Sequence, residues 1–192
     1  MASEQSDQLA ELYGVSRDRL SNPNLDLQTI RDMCDALGAA GKEPEGVSYA
    51  EVDAGGVPAL WCIPARCDEE AVVLFSHAGG TAVFSMSSDR KAAGHLAKAA
   101  GIRALVLDYR RSPENKFPAQ QDDVETAYRW LLAQGYRRDK IASGGHSVGG
   151  NLAVSLAIRL RDQGLPLPGA ILAVSGWYDT ELKNPTLQTV TQ

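Results

Sequence analysis

Apolar residues recur along the chain with two periods, and the change from one to the other divides it. In the first stretch they fall three or four apart, as at Ile30, Met33 and Leu37, which predicts helices over Glu4 to Tyr13 and Asp26 to Leu37. A Gly/Pro/Glu-rich connection, residues 41–46, follows. Val47 to Val52 and Val57 to Ile63 then read as strands around Asp53-Ala54-Gly55-Gly56, a hairpin signal. From there short apolar runs alternate with amphipathic ones. Strands are expected at Ala71 to Ser76, Arg103 to Asp108, Lys140 to Gly144 and Gly169 to Ser175. Helices are expected at Asp89 to Ala100, Gln120 to Leu132 and Gly150 to Arg161. Strand-helix alternation of this kind implies right-handed crossovers and a mostly parallel sheet with helices on both faces. No internal repeat or low-complexity segment interrupts it.

Composition narrows the partners more than the fold. The 192 residues suit one domain, and 44% hydrophobic with 22% charged content is ordinary for a globular chain. A net charge of -5 without a basic stripe argues against a nucleic-acid partner. The local run Arg137-Arg138-Asp139-Lys140 reads as a solvated approach to the next strand. Every apolar run is too short for a stable membrane span, and the acidic Met1 to Asp7 lacks the regions of a signal peptide, so a cytoplasmic location is expected. Cys34, Cys62 and Cys67 have neither disulfide-framework nor zinc spacing and are expected to be reduced packing residues. No metal or cofactor is called for. His95, inside a helical run, reads as a surface or packing residue.

The chemistry lies where strands end. Gly145-His146-Ser147-Val148-Gly149 sits between a strand and a helix, the setting of a nucleophile elbow, where a sharp turn exposes the serine hydroxyl and glycines let neighbouring backbone pass. Upstream, Ser76-His77-Ala78-Gly79-Gly80 also ends a strand. Acyl transfer develops negative charge on a carbonyl oxygen, and backbone N–H groups must already be aimed at it. The N–H groups of Gly79, Gly80 and Val148 are the candidates, with Ser147 the candidate nucleophile. With Asp108-Tyr109 and Trp177-Tyr178-Asp179, these loops all follow carboxyl ends of strands, where open α/β sheets bind ligands.

Between the two glycine motifs stands Asp108-Tyr109-Arg110-Arg111-Ser112-Pro113-Glu114-Asn115-Lys116-Phe117-Pro118-Ala119. Over about residues 45 to 180 the chain resembles the hormone-sensitive-lipase-like group of α/β-hydrolases, whose members carry H-G-G-G, D-Y-R-x-x-P-E-x-x-F-P-A and G-D-S-A-G-G-N in this order. Within that group it is similar to bacterial esterases and lactone hydrolases with helical N-terminal segments. Ala78, His146 and Val148 depart from the motifs, and none removes a backbone N–H. The resemblance implies an α/β-hydrolase core over residues 46–192, a helical lid over 1–45, and a small ester or lactone as substrate. It also implies supporting roles for His77, Asp108, Tyr109, Arg110 and His146. Asp122 and Asp123 read as favourable charge at a helix N-terminus.

A serine needs a base, and in this fold the order is Ser, then Asp or Glu, then His. No histidine follows Ser147, and Asp179, directly after the sixth strand, reads as a loop-stabilising or pocket residue rather than the triad acid. The expectation is a longer hydrolase whose last strands, acid and base lie beyond residue 192. A missing C-terminal segment, or a second copy of the chain, would cover the apolar strand Ala170 to Val174. The alternatives are a non-catalytic binding protein on this fold, or an amidase or acyltransferase sharing the acyl-enzyme.

Overall fold

A computed structural model of the protein describes residues 3–181 together with Lys183 and Pro185. Two helices open the chain, α1 (Glu4–Leu20) and α2 (Leu27–Gly38), each with a side-chain N-cap, Ser3 and Asp26. The first helix continues past the Tyr13 limit expected from sequence. Gly14 inside it costs about 1 kcal/mol of helix propensity and does not break it, and the chain leaves only at Ser21, whose N–H bonds back to Arg17.

The hairpin of β1 (Val47–Asp53) and β2 (Pro58–Pro64) pairs Val47 with Pro64 and Asp53 with Pro58. Gly55 and Gly56 turn it with φ of 79° and 98°, backbone that side chains with a Cβ disfavour. Then come β3 (Asp68–Ser76), α3 (Met86–Ala100), β4 (Ile102–Leu107), α4 (Ala119–Ala133), β5 (Ile141–His146), α5 (Val148–Asp162) and β6 (Ala170–Val174). β3 starts earlier than the apolar run suggested, because Asp68 extends the ladder to Ile102 across a bulge while its side chain stays in water. Helix α5 begins at Val148, with Ser147 itself as N-cap.

Spatial order in the sheet is β1-β2-β4-β3-β5-β6. The first two strands run antiparallel, and β4, β3, β5 and β6 are mutually parallel. Each face carries a core. Val124, Ala127, Tyr128 and Leu131 of α4 and Leu152, Leu156 and Leu160 of α5 pack on Val72, Leu74, Leu105 and Leu107. On the other face Ala93 and Ala97 of α3 meet Cys62, Val73, Phe75, Ala104 and Val106. At the margin, Ile171 and Val174 of β6 are 45% and 46% exposed. Among the described residues no helix is long and apolar enough to cross a membrane, and all three cysteines are free thiols.

Candidate active site

β5 and α5 meet at Ser147, which holds φ 57° and ψ -119°, a conformation costing a non-glycine residue about 1–3 kcal/mol. Neighbours hold it there. Its N–H donates to the Val174 carbonyl at 2.9 Å, and its own carbonyl accepts from Gly150 and Trp177 at 3.0 and 3.1 Å. The flanking glycines are required by space rather than by φ. A Cβ on Gly149 would lie 2.0 Å from the Ser76 carbonyl oxygen, and one on Gly145 2.5 Å from the same atom. The elbow is thereby pressed against the end of β3. Ser147 makes no side-chain capping bond, so its hydroxyl is not committed to α5.

At the end of β3 the chain turns through Gly79 and Gly80, with φ of 106° and 59°. The Gly79 carbonyl accepts from Ala82 and Val83 at 3.0 and 3.1 Å, closing a tight turn in which a Cβ on Gly79 would strike the Val83 oxygen. Among the described residues the N–H groups of Gly79 and Gly80 have no acceptor. Gly79, Gly80, His146 and Ser147 border one cleft of about 680 Å³, whose apolar wall includes Leu9, Tyr13, Leu37 and Phe84. Val148 lies buried behind the elbow. A cavity of about 650 Å³ between Trp61, Trp130 and Tyr136 has no serine, cysteine or histidine in its walls.

One layer below the cleft, His77 is fully buried and stacked on Tyr109, ring centroids 4.0 Å apart and 9° between planes. Its Nδ1 lies 2.7 Å from the Ala78 carbonyl and so carries the proton, while the buried Nε2 has no partner among the described residues. Burial pushes its pKa down to about 4, which makes it a neutral prop rather than a base near pH 7. The Tyr109 hydroxyl donates to the His77 carbonyl at 2.9 Å, and burial raises the phenol far above its ordinary range. Asp108 accepts from the Met86 N–H at 3.3 Å and so fixes the start of α3. Arg110 grips the nearly buried Asp123 through Nε and Nη2, at 3.0 and 2.8 Å. Asp123 also accepts the Arg110 N–H at 2.7 Å, so it anchors the loop and is more than helix-end charge.

Two residues at the site carried no sequence signal. Asp89, in the first turn of α3, accepts the Ala78 N–H at 3.0 Å and thereby holds the residue before Gly79. Burial raises its pKa, opposed by that N–H and by His146. Arg31 of α2 reaches the Ala82 and Ser112 carbonyls. The Asp179 carbonyl accepts from the Trp177 indole at 3.2 Å, and its carboxylate accepts from the Lys183 N–H at 3.4 Å. His95 is exposed on α3, with Nε2 3.0 Å from the Lys42 carbonyl.

The family model for the alpha/beta hydrolase fold matches residues 73–192. An acetyl-hydrolase of Streptomyces hygroscopicus is 41% identical over 145 residues, covering 76% of this chain and 47% of that protein. An ethyl acetate hydrolase of Pseudomonas putida is 34% identical over 123 residues, 62% of this chain and 39% of that one. The chain thus spans about half the length of these relatives or less. Among solved structures, an esterase of the bacterial hormone-sensitive lipase family superposes with a TM-score of 0.89 at 36% identity, over 98% of this chain and 63% of that one. With the elbow and the glycine turn bordering one cleft, and Tyr109 bonded beneath it to the His77 carbonyl, the chain belongs to the α/β-hydrolase family, in its hormone-sensitive-lipase-like group.

Proposed function

We propose that the protein is a carboxylic-ester hydrolase that works through an acyl-enzyme on Ser147. The observation that carries this reading is the uncapped Ser147 at a strained elbow, on the border of the same cleft as Gly79 and Gly80, whose N–H groups have no acceptor among the described residues. In the first half-reaction a base takes the Ser147 proton as Oγ bonds to the ester carbonyl carbon, and the carbonyl electron pair moves onto oxygen. Gly79, Gly80 and Val148 donate to that oxyanion, each donor contributing about 10²-fold or more in comparable sites. Collapse expels the alcohol, which takes the proton, and water repeats the sequence to release the acid. His77, Asp108, Tyr109 and Arg110 hold the donors and do not react.

The names of the relatives support a small acyl group, and Phe84 with Leu37 would bound it on the apolar side of the cleft. A lactone is an internal ester and fits the same steps. In this reading residues 1–45 form the lid over a core of residues 46–192. The test is hydrolysis of p-nitrophenyl acetate against the octanoate, with a fluorophosphonate probe to mark the nucleophile. Acetate is expected to be preferred, and Ser147→Ala to abolish labelling and turnover together. Labelling of the Ser147→Ala protein at the wild-type rate would assign the chemistry elsewhere.

A further inference from the structure

The turn that carries Gly79 and Gly80 is closed by its own bonds from Ala82 and Val83 to the Gly79 carbonyl, yet it stores strain beyond them. Beyond the two glycines, Thr81 and Phe84 also have positive φ, 71° and 63°, where a β-branched or bulky residue is an outlier. A turn with this much backbone strain keeps its shape only if its surroundings over-determine it. Three further restraints come from outside. Ser112 donates its N–H to the Thr81 carbonyl at 2.8 Å, and Arg111 donates to the Phe84 carbonyl at 2.9 Å. The third bond comes from α2. Arg31 Nε donates to the Ala82 carbonyl at 2.8 Å, Nη2 to the Ser112 carbonyl at 2.9 Å, and Nη1 and Nη2 grip both Glu114 oxygens at 2.8 Å.

We propose that Arg31 is a positioning residue for ester hydrolysis: from the N-terminal helical segment it holds the oxyanion turn against the loop after β4, setting where the Gly79 and Gly80 N–H groups point. The proposal rests on the ester-hydrolase reading and adds a role for α2 within the segment expected to be a lid. Burial favours the assignment, since the Arg31 side chain is 11% exposed and all three of its guanidinium nitrogens donate. The pairing is correspondingly firm. Arg31 holds the Glu114 carboxyl down to about 2, although that carboxylate is half exposed, so the fork stays charged on both sides through the range in which esterases are assayed. α2 is fastened at two further points. Asp35 accepts from the Ser85 hydroxyl at 3.1 Å, and Gly38 packs on Ser88 so tightly that a Cβ there would lie 2.6 Å from that side chain. This helix is a buttress of the site, whereas α1, with no buried residue, rests over the cleft.

A lysine cannot reproduce the fork, because one ammonium cannot reach two carbonyls and a carboxylate in fixed geometry. Arg31→Ala, Arg31→Lys and Glu114→Ala are compared with the wild-type protein, read by steady-state hydrolysis of p-nitrophenyl acetate and by hydrogen exchange of peptides covering residues 79–85. The expected result for Arg31→Ala is a fall in kcat of about 10²-fold, the scale of one lost oxyanion donor, with KM changed less than about threefold. Exchange at 79–85 should accelerate about tenfold or more, measured against peptides from β3 and β5 that stay protected. Arg31→Lys should recover only part of kcat, and millimolar ethylguanidinium should restore activity to Arg31→Ala without affecting the wild type. If Arg31→Ala fails to fold, Glu114→Ala, which releases half of the fork, must still show the local exchange and the kcat effect. Unchanged kcat in a folded variant, or a loss confined to KM, overturns the proposal. Inactivity of the wild type in a form that carries the triad acid and base would refute the ester-hydrolase reading instead, while the exchange data would still decide whether Arg31 holds the turn.

Discussion

His77 makes stability depend on pH with a sign and size the structure supplies. In the folded protein the imidazole is sealed between Tyr109 and the backbone, and protonation of Nε2 would create a buried cation with no partner among the described residues. Its pKa falls from 6.5 to about 4, chiefly through burial. At 1.36 kcal/mol per tenfold change in proton affinity, that corresponds to about 3 kcal/mol. As pH falls the unfolded chain takes up a proton from about 6.5, whereas the native state resists until about 4. Stability from this group is therefore fully present above about 6.5 and lost progressively down to about 4, where both states are protonated. Carboxylates such as Glu114, held down in the native state, also gain protons on unfolding, so the measurement is a difference. His77→Phe keeps a ring on Tyr109 and removes the titration. Urea unfolding followed by tryptophan fluorescence at several values between pH 7.5 and 4 should show the wild type losing about 3 kcal/mol relative to His77→Phe as pH falls. Parallel curves would refute the claim that His77 is held neutral by burial.

Two other substitutions probe the contacts that bring the motifs together. Gly149→Ala must drive β3 and α5 apart, because its Cβ would lie 2.0 Å from the Ser76 oxygen; after a gain of about 1 kcal/mol in helix propensity, a net loss of about 1–2 kcal/mol is expected from the urea midpoint. Stability equal to wild type would mean that the two elements are less closely seated. Tyr109→Phe removes the 2.9 Å bond to the buried His77 carbonyl and should cost about 1 kcal/mol, with slower hydrolysis of p-nitrophenyl acetate; an unchanged midpoint would show that this bond adds nothing to folding.

What the sequence determined by itself was local. Strand and helix periods register which face of each element is apolar, and the alternation after Val57 was enough to specify a mostly parallel sheet. Gly145, Ser147 and Gly149 were legible for the same reason, since a strand-turn-helix joint must have small residues where backbone passes backbone. Element ends were less legible: α1 ran through Gly14 because propensity is a weak penalty, and α5 began at Val148 because Ser147 took the capping position. Only the tertiary structure decided the polar contacts between distant segments. Arg31 meets Glu114 across 83 positions, and nothing in the helical period around Arg31 says that a charged residue on α2 points inward. Asp123 reads as charge near a helix N-terminus, a placement that the helix dipole alone would justify, and Asp89 stands in the first turn of α3 with no sequence mark of any other role. Folding brings Asp89 to the Ala78 N–H and Asp123 to Arg110, because the sheet order sets α3 and α4 beside the loops that leave β3 and β4. A hydrogen bond needs two groups within about 3 Å, and for residues far apart in the chain that distance is set by the packing of whole elements rather than by their own sequence.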